Sequence, residues 1–209
     1  MNEILPPLNE KLKTFSLYDY LKNDLQLNLN HLVTEIEVSK NDYLYRPPII
    51  ENFIYEIVDG AMKLGSYKES GEEYVYDVIH SGDFFGNLKY LNNQFYEFSK
   101  PLIDTRIRVY DLSFFKRVIT ENPKTAEWFI SYLVKRWCVA EKKLGKVNEK
   151  NTIEKIRFLR HFFNVSVKDS QGTPFMLYDL LTQKDMGDLV GTTRQTIANA
   201  LKKKSIFST

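Results

Sequence analysis

From Val33 onward the apolar positions fall on every second residue. The stretches "VTEIEV" (33–38), "FIYEIV" (53–58), "AMKLGSY" (61–67), "EEYVYDVI" (72–79) and "TRIRVYDL" (105–112) alternate or are rich in β-branched and aromatic side chains. That pattern predicts strands half-buried in a sheet. Turn-forming groups separate them: Lys40-Asn41-Asp42, Pro47-Pro48, Asp59-Gly60, Ser70-Gly71 and Ser81-Gly82-Asp83. Short strands with turns at regular spacing predict an antiparallel barrel or sandwich over about 33–112. Ahead of it, residues 8–32 read as short helices anchored by Leu8, Leu12, Phe15, Leu17, Tyr18, Leu21 and Leu25.

Beyond the last of these strands the period lengthens. Asn122-Pro123 offers a cap followed by proline at the first helical position. Ile130, Trp137 and Leu144 then recur every seven residues, as do Ala126, Leu133, Ala140 and Val147. The two rows are the a and d positions of a heptad on a helix roughly 40 Å long. They predict a parallel homodimer; the alternative is a helix lying across its own barrel. Asn151, with Glu154 three residues later, opens another helix through about Asn164, with Ile156, Leu159, Phe162 and Phe163 as its apolar face. After Ser170-Gln171-Gly172, "TPFMLYDLL" (173–181) reads as one short strand. The expected units are 1–121 (sheet domain with N-terminal helices), 122–150 (long helix and hinge) and 151–209.

The last of these carries "LTQKDMGDLVGTTRQTIANALKKK", from Leu181 to Lys204. Thr182 is placed to cap a helix, with Asp185 supplying a carboxylate to its first turn. Met186, Leu189 and Val190 face inward, Gly187 permits close approach of a neighbouring helix, and Gly191 suits a left-handed stop. Thr192 or Thr193 caps the next helix, whose buried face is Ile197, Ala200 and Leu201. Gln195 and Asn199, four apart, share its other face with Arg194, Lys202 and Lys203. Arginine can donate twice to guanine and an amide can pair with adenine, while Thr193 and Thr196 suit phosphate contact.

Charge supports this division. Residues 151–209 hold nine basic and five acidic side chains, a net of +4 against −2 for the preceding 150, as expected if only the C-terminal unit meets phosphates. A single cysteine, Cys138, excludes a disulfide framework and a cysteine-rich metal site. His31, His80 and His161 are scattered, so no metal is expected, and no nucleophile–base pair or phosphate-cradling loop points to an enzyme. With neither a signal peptide nor an apolar run of about 18 residues, no membrane contact and a cytoplasmic location are expected.

The C-terminal stretch resembles the helix-turn-helix of the cyclic-AMP receptor protein (CRP/FNR) family of bacterial transcription regulators. "VDGAMKLGSYKESGEEYVYDVIHSGDFFGNL" (58–88) is similar to that family's β-roll hairpins, and a long helix follows in the expected place. The resemblance implies an α+β chain: an antiparallel, cyclic-nucleotide-binding-like jelly roll, a long dimerisation helix and a C-terminal helix-turn-helix of the winged-helix kind. It implies double-stranded DNA, a second copy of the chain and RNA polymerase as partners. It also places Arg194, Gln195 and Asn199 at base-reading positions and Thr182, Thr193, Thr196, Lys202 and Lys203 around them. Gln195 stands where glutamate is commoner, and only Ser205 to Thr209 remain where a two-stranded wing is usual. The rival reading is a sensing or interaction module whose DNA-binding part has lost its function.

In the family's nucleotide pocket a glutamate meets the ribose and an arginine–serine pair holds the phosphate. Here the glycine-bounded turn is Gly86-Asn87-Leu88, with Asn87 at the glutamate's place and Glu97-Phe98-Ser99 across the arginine–serine pair. Asp77 replaces a phosphate-contacting serine, and Val139-Ala140 a Thr-Ser that touches adenine. A buried anion lacking arginine is costly to desolvate. Cyclic AMP is therefore not expected, and no cofactor is. The alternatives left open are an apolar or aromatic effector among Phe84, Phe85, Tyr90, Phe95, Tyr96 and Phe98, or an aromatic core with no ligand.

Overall fold

The computed structural model describes residues 15–48, 52–91 and 96–206, with side chains through Lys202. The five period-two stretches become strands and two short ones join them: β1 (Val33–Val38), β2 (Phe53–Asp59), β3 (Ala61–Tyr67), β4 (Glu73–His80), β5 (Phe84–Phe85), β6 (Phe98–Pro101) and β7 (Thr105–Asp111). They pair antiparallel as two sheets, ordered β1-β7-β2-β5 and β4-β3-β6. Val33 lies opposite Tyr110, and Ala61 opposite His80. Between the sheets Ile57, Met62, Leu64, Ile79 and Ile107 are buried beside a stack of Tyr45, Tyr55 and Phe85. The β3–β4 register shifts at Leu64/Gly65, where Tyr76 is the extra residue on β4. Glycine is required there, because a β-carbon would collide with the Phe98 ring and the Tyr74 carbonyl.

Three elements depart from expectation. β5 and β6 are too short to show a period. A helix, α2 (Leu112–Glu121), follows β7 directly. Its sequence "LSFFKRVITE" continues the β-branched and aromatic composition of the strand, which hides it. Asp111 makes the switch, its carboxylate accepting from the Phe114 N–H at 2.8 Å. Near the start, α1 (Leu17–Asp19) runs into a π-turn, Tyr20–Asp24. Leu17 and Leu21 are buried there and Leu25 is exposed. Leu8 and Leu12 lie outside the described residues, as do Phe95 and the side chains of Lys203 and Lys204.

The long helix α3 (Pro123–Val147) begins at Asn122, whose side-chain oxygen accepts from the N–H groups of Lys124 and Thr125. It has two apolar faces. Trp128, Phe129 and Tyr132 pack against Phe84 of the roll. On the other face Ile130, Leu133, Val134, Trp137 and Leu144 are exposed.

After α3 come α4 (Thr152–Phe162), a hairpin of β8 (Ser166–Lys168) and β9 (Pro174–Met176), then α5 (Gln183–Leu189) and α6 (Arg194–Ile206). The strand expected over 173–181 is cut to Pro174–Met176, and Leu177–Leu180 form a 3-10 turn. Leu177 and Leu181 are both buried four residues apart, a spacing that helical backbone supplies and a strand also allows; the N–H of Leu181 bonding back to the Tyr178 carbonyl decides for the turn. A single apolar cluster joins the roll (Val75, Val78, Phe98, Leu102, Ile103) to α4 and α5 (Ile156, Leu159, Met186).

Candidate nucleic-acid interface and ligand cavity

Thr182 and Asp185 open α5 with a reciprocal capping box. The threonine hydroxyl accepts from the Asp185 N–H at 3.1 Å, and the carboxylate accepts from the Thr182 N–H at 3.1 Å. Met186, Leu189 and Val190 are buried. A β-carbon on Gly187 would sit 2.8 Å from the Thr192 carbonyl oxygen, so glycine lets the turn close. Gly191 has a φ of 62°. Thr193 caps α6, its hydroxyl accepting from the Thr196 N–H at 3.1 Å.

Along α6, Ile197 and Ala200 are buried and Leu201 is half-buried. The opposite surface presents Thr193, Arg194, Gln195, Asn199 and Lys202, all exposed, with Thr196 half-buried between. Gln195 Nε2 donates to Asn199 Oδ1 at 3.1 Å. Thr182 is exposed, but its hydroxyl serves the capping box.

Two further ties hold this module, and neither has a local signature. Lys155, buried on α4, donates from Nζ to the carbonyls of Val147 (2.9 Å) and Val190 (2.8 Å). It thereby joins the end of α3 to the end of α5. Val147, expected only in a dimer row, also packs at Gly191. The second tie is a polar seam to the roll. Lys63 Nζ lies 3.1 Å from Asp185 Oδ1, and Asp188 Oδ2 accepts from the Val75 N–H at 3.1 Å. Because β4 is the edge of its sheet, Asp188 satisfies a donor that no strand covers. Lys184 bonds Asp188 and the Glu73 carbonyl.

Between the roll and α3 lies a cavity of about 310 Å³, walled mainly by Ile54, Leu64, Phe84, Phe85, Phe129 and Leu133, with Tyr76, Tyr132, Glu97 and Arg136 as its polar groups. Of the expected pocket residues Gly86, Leu88 and Glu97 line it. Asn87 turns to its own loop, accepting from the Lys89 N–H at 2.6 Å. Asp77 stands behind the wall, paired with Arg136 at 2.6 Å and with Lys143.

Phe98, Ser99, Val139 and Ala140 do not line the cavity, which corrects the sequence reading. Successive residues of a strand face opposite ways, so Glu97 meets the cavity while Phe98 enters the core shared with α4 and α5. Ser99 is buried beside Met62. On α3 the cavity is met by Phe129, Tyr132, Leu133 and Arg136, about one turn ahead of Val139, which is buried, and Ala140, which is exposed. Ala126 of the heptad rows is half-buried.

The polar groups differ in their electrostatics. Burial pushes the Glu97 carboxyl above its ordinary value, although the Tyr45 and Tyr76 hydroxyls both donate to it. Burial acts likewise on Asp77, but Lys143 and Arg136 outweigh it and hold that carboxyl below its usual range. Among the described residues no cluster of metal-ligating side chains occurs, and no helix is long and apolar enough to cross a membrane.

The chain thus combines a roll, a long helix and a helix-turn-helix module, with a cavity between the roll and the long helix. No protein-family model matches the sequence. The chain is 23% identical over 181 residues to the cAMP-activated global transcriptional regulator CRP of Salmonella typhimurium, covering 85% of each protein. It shares its fold with FixK2 from Bradyrhizobium japonicum (TM-score 0.64, 18% identity, 85% of this chain and 86% of that one). The CooA mutant from Carboxydothermus hydrogenoformans is also similar (TM-score 0.65, 18% identity, 93% and 86%). The likeness to these transcription regulators, and to solved structures of the CRP/FNR family, shows the fold that the chain shares with them.

Proposed function

We propose that the protein is a sequence-specific transcriptional regulator that binds an inverted-repeat operator as a homodimer, with α6 in the major groove. The observation carrying this reading is the polarity of α6. Its inward face is buried in the module, and Arg194, Gln195 and Asn199 stand exposed on the other. The apolar outer face of α3 supports the dimer, since Ile130, Trp137 and Leu144 are more than three-fifths exposed in the single chain and a contiguous apolar stripe marks an association surface. Location in the cytoplasm and contact with RNA polymerase belong to the same proposal.

Cyclic AMP is not the effector in this reading. The nearest guanidinium, Arg136, is committed to Asp77, and the Glu97 carboxyl faces the space a phosphate would need. An anion there would lose its hydration without gaining a free cation.

Enrichment from a random duplex pool tests both parts. The full chain is expected to select one palindrome with half-sites about one helical turn apart, unchanged by cyclic AMP. Arg194→Ala should weaken binding to it by about 1–3 kcal/mol. Selection of no palindrome by a confirmed dimer, or selection only with cyclic AMP, would overturn the corresponding part.

A further inference from the structure

We propose that Gln195 and Asn199 act as one composite amide that selects an A·T pair in each half-site, beside a G·C pair read by Arg194. The inference rests on the DNA-binding reading above and specifies its substrate. The two side chains are four residues apart on a helix whose rotation is fixed by burial of Ile197 and Ala200. Both are exposed. Their amides are joined, Gln195 Nε2 donating to Asn199 Oδ1 at 3.1 Å.

That bond decides what the pair can offer a base. Two amides together hold two carbonyl oxygens and two NH2 groups. The internal bond occupies the Asn199 oxygen and one N–H of Gln195. The Gln195 oxygen remains as a free acceptor and the Asn199 NH2 as a free donor. Exchanging oxygen and nitrogen in both amides reverses the bond but leaves the same inventory, so the conclusion does not depend on that assignment.

One acceptor beside one donor is the complement of adenine, whose major-groove edge carries the N6 amino donor and the N7 acceptor. Guanine presents two acceptors there, cytosine a donor and thymine an acceptor beside its methyl group. Adenine is the match. Because the two side chains already hold one another, less rotamer freedom is lost on contact than for two independent side chains. The Arg194 side chain has no hydrogen bond or ion pair among the described residues, which leaves its guanidinium for guanine O6 and N7. As consecutive residues, Arg194 and Gln195 reach neighbouring positions of the half-site.

Selection from a random duplex pool by the full-length chain, repeated with Gln195→Glu, Asn199→Ala and Lys202→Ala, tests the assignment. The unaltered protein should enrich an A·T column next to a G·C column. Gln195→Glu puts an acceptor-only carboxylate at position 195, with the Asn199 NH2 drawn to it, and should convert the A·T column to C·G, the other columns staying as they were. Asn199→Ala should relax that same column by roughly 5- to 150-fold in discrimination. Lys202→Ala should lower affinity for all sequences alike, the columns unchanged. Absence of the A·T column, or its persistence in both amide variants, overturns the inference while sparing the DNA-binding reading. Failure of the unaltered chain to select any palindrome overturns both. Circular dichroism of the variants, all at exposed positions, separates loss of reading from loss of fold.

Discussion

Two carboxylates of the roll show how environment, and not residue type, sets charge. Asp77 keeps its charge because Lys143 and Arg136 together outweigh its burial. Glu97 has two phenols and no paired cation, and burial prevails. A folded-state value above the ordinary one means that the folded chain holds the proton more tightly than the unfolded chain. The contribution of Glu97 to stability is then fully present below its ordinary value of 4.5 and declines as pH rises through the raised one. Gln at 97 has no proton to lose. Thermal unfolding of Glu97→Gln against the parent protein should give equal stability near pH 4 and an advantage for the variant at pH 8. A constant difference across that range would contradict the account. Little of this was legible in the sequence. The polar character of position 97 was evident, but its hydroxyl donors, Tyr45 and Tyr76, are 52 and 21 residues away.

At the scale of elements, α3 shows why an amphipathic pattern can support two readings at once. Its aromatic residues pack on the barrel, and its heptad rows leave an exposed apolar stripe of the kind a partner helix would cover; the helix has both faces. The outer stripe predicts a stable association through side chains that contribute little to the single chain. Trp137→Glu combined with Leu144→Glu should therefore reduce the mass by light scattering to the 24.6 kDa of one chain, leaving the circular dichroism unaltered. A double variant that remains dimeric would place the interface elsewhere. Strands with clear alternation, such as β1 and β7, were readable because one face of each must be buried. α2 was not, because Tyr110-Asp111-Leu112-Ser113-Phe114 carries the strand's alternation across the boundary, and only the cap at Asp111 marks the change. The helix-turn-helix was the most readable part. Its two caps, tight glycine and left-handed glycine each impose a local requirement that few other residues meet.

The whole molecule is held by contacts that join residues far apart in the chain. Lys63 meets Asp185 across 122 positions and Val75 meets Asp188 across 113, so no periodicity could announce the seam between the roll and the helix-turn-helix module. Lys155 does the same between the ends of α3 and α5. These ties fix the module on its own roll, and in the proposed dimer a symmetric pair of chains would fix the distance between the two α6 helices. Spacing between half-sites is consequently a property of the dimer, and DNA with the wrong spacing can be gripped by only one subunit. Fluorescence polarisation on the selected palindrome, compared with the same duplex carrying about five extra base pairs at its centre, measures this directly. That insertion turns one half-site by about half a helical turn. The account predicts a loss of affinity of at least about tenfold, down to that of an isolated half-site. Equal affinity for the two duplexes would contradict it.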